Sequence, residues 1–251
     1  MNGKIKVRYQ YRDDSYPPDK PLVYTKESVD SYLTAIKRKR SFYYGLTDFL
    51  LYRALKKYSI TGKTVAIMGS TTPLYESICL AHAGKPTTIE YNKIISEDGR
   101  IKTMTVAEYE QGPLKFDTAF SISSFEHDGL GRYGERLNPE GDMDAMKRMK
   151  SILKPEGILF LSIPLGMDSL VWNMHRTYGR TRLRKLLEGW KLLDFFDFNP
   201  MQIILKRINC DPVFVLENSD QHKMREKWLI GYSIRFIKGI LRENVAERLC
   251  R

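Results

Sequence analysis

The chain has 251 residues, 42% of them hydrophobic, which is enough apolar material to bury one sizeable core and argues against an intrinsically disordered protein. No apolar run approaches the roughly 20 residues of a membrane-spanning helix, and the three cysteines form no CxxC pair, so neither a disulfide framework nor a zinc knuckle is indicated. The net charge of +11 favours encounters with anionic partners such as nucleic acid, phospholipid headgroups or phosphorylated metabolites, but the sign alone selects none of them.

Three sections follow one another along the chain. Residues 1–60 are predicted to be a partly helical extension, with helices around 29–37 and 47–58, because apolar residues recur there at helical spacing. Residues 61–220 alternate strand-like and helix-like runs and are predicted to form the main domain. Residues 221–251 are predicted to be a basic tail of one or two helices, which either packs against protein or lies on a membrane surface.

Seven strands are predicted in the main domain, separated mostly by helices. The predicted strands are 64–68, 87–90, 100–105, 116–123, 158–163, 190–198 and 212–216. Asp142 is predicted to cap the helix that precedes the fifth strand. Helical crossovers imply parallel pairing with helices on both faces, so the predicted fold is α/β, with a doubly wound, mostly parallel sheet. Ligands bind such sheets beyond the carboxyl ends of the strands, near the switch in strand order.

The first two strands end in residues suited to an adenosine-bearing ligand. Gly69 and Ser70 follow the first strand, where a small residue lets the backbone approach a ligand closely. Glu90 ends the second strand 21 positions after Gly69. This is near the spacing at which an acidic side chain accepts hydrogen bonds from both hydroxyls of a ribose.

The charge of the first helical turn narrows the identity of the ligand. The GxGxxG fingerprint of a dinucleotide site is absent, and Glu76 lies where it would repel a pyrophosphate. The same carboxylate would attract the ammonium and sulfonium of S-adenosylmethionine, although it could also serve only to complement the helix dipole. The sequence therefore favours S-adenosylmethionine as cofactor over a nicotinamide dinucleotide.

Titratable side chains follow the fourth predicted strand. Glu126, His127 and Asp128 come directly after it and are candidates for cofactor contact or proton transfer. A metal site is not expected, because consecutive residues cannot all converge on one ion. The stretch 164–180, after the fifth strand, is either an acceptor pocket or an ordinary surface loop.

Candidate substrate-orienting side chains are spread through this last stretch. They are Asn173, His175, Arg176 and Tyr178. His175 and His127 are the two candidate bases for taking a proton from the methyl acceptor.

These segments, taken in order, resemble the motifs of class I S-adenosylmethionine-dependent methyltransferases. The segments that carry the resemblance are the strands ending in Gly69 and Glu90, the strand leading to 125–127, and the turn at 153–157. More specifically, the segments 69–76, 89–92 and 124–134 are similar to an uncharacterised family related to those enzymes, domain of unknown function 268. The resemblance implies a Rossmann-like fold in which Gly69 lines the methionine part of the cofactor and Glu90 binds the ribose. The segment 124–127, with Ser124 and Glu126, would lie near the methionine end, and Ser70 is a further cofactor-binding candidate.

The first motif departs from the pattern of active enzymes. Such enzymes usually carry an acidic residue two places before the first glycine, whereas this chain has Ile67, which cannot accept a hydrogen bond from the cofactor ammonium. Glu76 could take over that role. The prediction is thus a methyltransferase-like protein that binds S-adenosylmethionine and a small-molecule or anionic acceptor. A catalytically inactive binding or scaffolding module is the alternative, and a nucleic-acid-binding role rests only on net charge.

The cellular location is predicted from the amino-terminal sequence and the number of cysteines. The polar amino terminus lacks the apolar region of a signal peptide, and the sparse cysteines fit a reducing compartment. The expectation is an intracellular, cytoplasmic protein.

Overall fold

The computed structural model of the protein describes residues 5–17, 20–198 and 211–219. The predicted tail helices at 221–251 lie outside the described residues. Within the described ranges the helices are α1 (Lys26–Lys37), α2 (Leu46–Lys57), α3 (Leu74–Ala81), α4 (Val106–Gln111), α5 (Gly141–Ile152) and α6 (Arg180–Leu186). The strands are β1 (Lys6–Tyr9), β2 (Leu22–Tyr24), β3 (Thr64–Met68), β4 (Lys85–Glu90), β5 (Ile94–Ser96), β6 (Lys102–Thr105), β7 (Phe116–Ile122), β8 (Leu153–Ser162), β9 (Ser169–Trp172), β10 (His175–Thr177), β11 (Lys191–Phe196) and β12 (Val213–Glu217).

Seven strands form a central sheet in the order β6-β4-β3-β7-β8-β12-β11. Pairing is parallel from β6 through β8, whereas β12 runs antiparallel to both β8 and β11. The predicted seven-stranded, mostly parallel α/β sheet is confirmed. The chain runs outward from β3 to β4 and β6 and then returns to β7 on the other side of β3, so the strand order reverses between β3 and β7. That switch is where the fold offers a ligand site.

The central strand β3 is buried on both faces, as its continuous apolar run predicts. Successive side chains of a strand point to opposite faces. Val65 and Ile67 accordingly pack with residues of α2 and α3, whereas Ala66 belongs to the layer that contains Met149 of α5 and Leu183 of α6. Helices therefore pack against both faces of the sheet, and this packing fixes the positions of the side chains at its carboxyl edge.

The N-terminal extension contains the two predicted helices, α1 and α2, and also two strands that the sequence pattern did not reveal. β1 pairs in parallel with β9, with Lys6 opposite Ser169, and β10 completes this three-stranded sheet. β2 pairs in parallel with β5. Every side chain of β1 is exposed, so its pairing depends on backbone hydrogen bonds to a segment far along the chain. No local pattern reports such a partner.

The predicted capping role of Asp142 is wrong. Helix α5 begins at Gly141, Glu140 holds the capping position, and no side chain caps this end. Asp142 lies inside the first turn and is fully buried. It forms an ion pair with Arg182 and accepts a hydrogen bond of 2.9 Å from the hydroxyl of Tyr178. Burial against these partners, which follow much later in the sequence, takes the carboxylate away from the helix terminus.

Candidate functional site

A cavity of about 1640 Å³ lies at the carboxyl edge of the sheet, around the switch between β3 and β7. The ends of β3, β4 and β7 contribute to its wall, together with residues of the N-terminal extension and of α4 and α5. The predicted site residues that line the cavity are Gly69, Ser70, Glu90, Ser124, Glu126, His127 and His175. Of the predicted cofactor-binding residues, Glu76 is not part of the lining.

Gly69 and Ser124 are in close contact where β3 and β7 end. Gly69 has φ of +70°, and a Cβ atom added to it would lie 2.1 Å from Oγ of Ser124. Both the backbone conformation and the available space therefore require glycine. The group that approaches this glycine most closely is the Ser124 side chain, which is itself part of the cavity wall.

The loop after Gly69 is held by hydrogen bonds from beneath the cavity. The hydroxyl of Tyr24 donates to the carbonyl of Ser70 over 2.8 Å. The Ser70 Oγ lies 2.8 Å from the carbonyl oxygen of Thr72 and 3.0 Å from Oε2 of Glu76. The Thr88 hydroxyl, on β4, donates to the other carboxyl oxygen of Glu76 over 2.6 Å. These bonds fix the loop on which a ligand would lie.

Burial and hydrogen bonding act in opposite directions on the ionisation of Glu76. The single hydroxyl hydrogen of Ser70 is shared between two acceptors, the Thr72 carbonyl and Oε2 of Glu76. Burial of the fully enclosed side chain raises the pKa of Glu76 to about 7, although the hydrogen bonds donated by Thr88 and Ser70 lower it. Glu76 thus supports the loop, and its carboxyl group does not enter the cavity.

Glu90 is the buried carboxylate at the end of β4, with 8% of the residue exposed. Burial raises its pKa to about 7, although the backbone amide of Tyr91 donates to Oε1 over 2.8 Å. Apolar side chains of Ile89, Val106 and Tyr109 line the cavity on the same side. Glu90 therefore presents hydrogen-bond acceptors beside an apolar wall, which suits a ribose with an attached base.

His127 lies at the other side of the cavity, after β7. Its Nδ1 is hydrogen-bonded to the carbonyl of Met174, so Nδ1 carries the hydrogen and Nε2 keeps its lone pair. Nε2 lies 3.7 Å from Oε1 of Glu126. Burial lowers the pKa of His127 to about 4, so the imidazole is neutral at neutral pH.

The structure brings the two predicted bases together. The rings of His127 and His175 have centroids 6.4 Å apart and meet edge to face, and Tyr133 contacts His127 in the same way at 5.8 Å. His127 and His175 are far apart in sequence. The pairing of β10 with β9 places His175, the first residue of β10, near the end of β7.

The other candidate substrate-orienting residues have structural contacts instead. The side-chain amide of Asn173 forms two hydrogen bonds with the backbone of Arg12, one through its oxygen and one through its nitrogen. The Tyr178 hydroxyl donates to Asp142. Arg176 is 3% exposed and donates to main-chain carbonyls, including that of Asp128 at 2.7 Å. Among these four candidates only His175 belongs to the cavity lining.

Sequence reasoning missed several tyrosines of the cavity wall. Tyr44 lines the cavity near Ser123, whose hydroxyl donates to Glu126, and burial raises the pKa of the Tyr44 hydroxyl. The buried hydroxyl of Tyr75 has no hydrogen-bond partner among the described residues. The aromatic run at 42–44 is the signal that could have drawn attention to this wall.

Within residues 5–17, 20–198 and 211–219, no group of three or more His, Cys, Asp or Glu residues is arranged to hold a metal ion. None of the helices in those ranges has the length and apolar composition needed to cross a membrane.

The sheet order, the antiparallel strand β12 and the cavity at the switch point define the fold of class I methyltransferases. The chain belongs to the family described as Caenorhabditis protein of unknown function, DUF268, whose model matches residues 62–218. The resemblance inferred from the segments around Gly69, Glu90 and Ser124 is thereby confirmed. The protein is methyltransferase-like, and its acceptor is unknown.

One solved structure supports the same fold. The 1,6-didemethyltoxoflavin-N1-methyltransferase of Burkholderia thailandensis, with bound 1,6-didemethyltoxoflavin and S-adenosylhomocysteine, is 16% identical, with a TM-score of 0.52 over 84% of this chain and 99% of that one. TehB of Haemophilus influenzae is 15% identical, with a TM-score of 0.45 over 67% of this chain and 61% of that one. At such identity the first likeness shows the fold alone. Comparison with proteins of curated function found no match.

Proposed function

We propose that the protein is a methyltransferase that uses S-adenosylmethionine and holds it across the switch between β3 and β7. The observation that carries the proposal is the buried Glu90 carboxylate at the end of β4, one strand away from the Gly69 loop and facing the same cavity. A carboxylate in this position accepts hydrogen bonds from both hydroxyls of a ribose. The S-adenosylhomocysteine bound to the Burkholderia thailandensis enzyme supports S-adenosylmethionine as the ligand of the shared fold.

The residues present fit the parts of this cofactor. Glu90 would hold the ribose, and Ile89, Val106 and Tyr109 would contact the base. The loop that begins at Gly69 would hold the methionine part. Neighbouring strands are about 4.8 Å apart, so the end of β7 lies about 10 Å from that of β4. This distance leaves the β7 end and its histidines for the acceptor.

The chain's own residues would act on the acceptor by positioning it and receiving its proton. When bound, the cofactor supplies an electrophilic methyl group on its sulfonium. His127 is neutral, and its Nε2 lone pair can take a proton from the acceptor. Glu126, 3.7 Å from Nε2, would stabilise the resulting imidazolium. The enclosing tyrosines limit water and hold the acceptor in place, which is the main source of rate in such a transfer.

Isothermal titration calorimetry with S-adenosylmethionine and S-adenosylhomocysteine tests the proposal. Glu90→Gln should weaken binding at pH 8 by about 30-fold, or about 2 kcal/mol, because one charged acceptor is lost. Glu97→Gln is a matched control, since Glu97 is exposed and does not line the cavity. Absence of binding to the wild-type protein at millimolar ligand would refute the proposed function.

A second candidate, a binding module without catalysis, is favoured by one feature of the site. Ile67 is fully buried, and the Glu76 carboxyl lies outside the cavity, so neither supplies the carboxylate that the cofactor ammonium usually meets. Incubation of the protein with methyl-labelled S-adenosylmethionine and a small-molecule extract separates the candidates. Labelled product that disappears with Glu90→Gln would establish catalysis, whereas binding without label transfer would favour the module.

The acceptor and the location complete the proposal. A small-molecule acceptor is supported by the enclosed cavity, and the net positive charge would suit an anionic one. A cytoplasmic location is supported by the sparse cysteines, and cell fractionation would test it.

A further inference from the structure

We propose that residues 10–17, called the strap below, close the cavity over the bound cofactor and must detach before the cofactor enters or leaves. This inference rests on the proposed function, because the ligand concerned is the cofactor at Glu90. The strap precedes the part of the chain that matches the family model, residues 62–218.

The strap contributes side chains to the cavity wall. Arg12, Asp14 and Tyr16 all line the cavity, and their spacing of two is that of an extended segment with one face turned inward. Asp13 and Ser15 between them do not line the cavity, and the Ser15 hydroxyl donates to the Asp13 carboxylate over 2.6 Å. Of the three lining residues Asp14 is partly buried, whereas Arg12 and Tyr16 keep exposed surface as well. The strap therefore has a cavity side and a solvent side.

The first anchor of the strap is the amide side chain of Asn173, which is 2% exposed and follows β9. Its Oδ1 accepts from the backbone amide of Arg12, and its Nδ2 donates to the backbone carbonyl of the same residue, both over 2.9 Å. The side chain of Asn173 thus pairs with the strap as a neighbouring strand would.

The other anchors lie across the cavity mouth. The backbone amide of Asp14 donates to the carbonyl of Arg132 over 2.8 Å, and the Arg132 guanidinium donates to the Asp14 carboxylate over 2.7 Å. The amide of Tyr16 lies 3.5 Å from Oδ1 of Asn92, two residues after Glu90. Since Asn173, Arg132 and Asn92 follow β9, β7 and β4, the strap crosses from the acceptor side of the cavity to the ribose side.

The attachments of the strap are of a kind that can open locally. They are hydrogen bonds and one partly buried ion pair, and strand β1, which leads into the strap, buries none of its side chains. Segments with few buried apolar contacts open at much lower free energy than the core does. Breaking these polar contacts would expose the cavity without disturbing the sheet.

The test measures association and dissociation rates of S-adenosylhomocysteine by stopped-flow fluorescence on the full chain. Asp14→Asn removes the charge that Arg132 binds and should raise both rates by about tenfold, a change of about 1.4 kcal/mol in each barrier. The dissociation constant should change less than either rate, because a gate acts on entry and exit alike. Asp13→Asn, one residue away on the solvent side, should leave both rates as in the wild type.

Hydrogen exchange provides a second readout that requires no variant. Addition of S-adenosylhomocysteine should slow exchange of the strap amides of Arg12 and Asp14, because the closed state becomes more populated. The proposed gating role of the strap would be refuted by any of three results. These are unchanged rates in Asp14→Asn, a rise in the dissociation rate alone, and strap exchange that does not respond to the ligand. If calorimetry detects no binding of the ligand to the wild type, the proposed function itself fails, which is a distinguishable result.

Discussion

The Thr88 hydroxyl donates a hydrogen bond of 2.6 Å to Oε1 of Glu76, which joins strand β4 to the first turn of α3 next to the Gly69 loop. The second oxygen of the same carboxyl group contacts Ser70 in that loop. One buried acid therefore links the strand that carries Glu90 with the loop that would hold the rest of the cofactor. Because this carboxyl group is buried in the folded protein, its protonation state affects the free energy of unfolding, which can be measured.

Replacement of Glu76 by glutamine should remove part of the pH dependence of stability. Burial raises the folded-state pKa of Glu76 from 4.5 to about 7. The stability it contributes is therefore present below pH 4.5 and is lost as the pH rises through 7. Each pKa unit is worth about 1.4 kcal/mol, so the loss can reach about 3 kcal/mol. Glutamine keeps a donor for Ser70 and an acceptor for Thr88 and cannot ionise.

Urea unfolding at pH 5 and pH 8 is the measurement for Glu76→Gln. The free energy of unfolding of the variant should fall less between these pH values than that of the wild type, and exposed Glu97→Gln should behave as the wild type. Parallel pH profiles for the wild type and Glu76→Gln would show that Glu76 is ionised in the folded protein at both pH values.

Cofactor affinity should increase with pH because Glu90 must ionise to accept from both ribose hydroxyls. Its pKa is raised to about 7 by burial, so the carboxylate form is the minor one at pH 6 and the major one at pH 8. Adenosine is the preferred probe, since it carries the ribose and has no group that titrates in this range. Its affinity should rise about tenfold from pH 6 to pH 8 in the wild type and stay constant in Glu90→Gln. Constant wild-type affinity would contradict the assigned contact.

Gly69→Ala should destabilise the protein more than alanine at another glycine of similar φ. Gly69 and Gly62 have φ of +70° and +74°, but a Cβ at Gly62 meets nothing within 4 Å, whereas one at Gly69 lies 2.1 Å from Ser124 Oγ. The expected losses are about 1 kcal/mol for Gly62→Ala and about 3 kcal/mol for Gly69→Ala. Ser124→Gly in the Gly69→Ala background should recover part of the difference. Equal losses at both glycines would show that the Ser124 contact yields easily.

Loss of the Arg182 guanidinium should be costly because its partner is fully buried. Among the described residues, Arg182→Met would leave Asp142 with only the Tyr178 hydroxyl and the Arg176 guanidinium, 3.6 Å away, as partners, with an expected loss of about 3 kcal/mol in the free energy of unfolding. Lys147→Met is the matched control, because Lys147 pairs with Asp144 at 3.4 Å on the surface, where both side chains are largely exposed. A loss for Arg182→Met no greater than that of the control would mean that water or another group stabilises Asp142.

Local sequence patterns were sufficient to predict the central sheet and to place three candidate residues at the cavity edge. The apolar run of β3 predicts a strand covered on both faces, and the alternation of strands with helices predicts parallel pairing. Parallel strands bring their carboxyl ends to one edge, so Gly69, Glu90 and His127 were expected at a common edge before any contact was known. All three line the cavity.

The site's closer contacts could not be read from the chain. Neither the edge-to-face contact of His127 with His175 nor the anchoring of the strap by Asn173 follows from any local pattern. The sequence also allows Glu76 to face the cofactor. In the structure its carboxyl group instead lies beneath the Gly69 loop, where it is hydrogen-bonded to Ser70 and Thr88.

The sequence by itself determined the seven strands of the central sheet and their succession along the chain, and with them the cavity edge, because side-chain periodicity and chain order suffice for both. Only the tertiary structure decided which side chains at that edge reach the cavity and which are buried beside it. Burial and hydrogen bonding depend on residues distant in sequence, and these also set the charge state of groups such as Glu76 and His127.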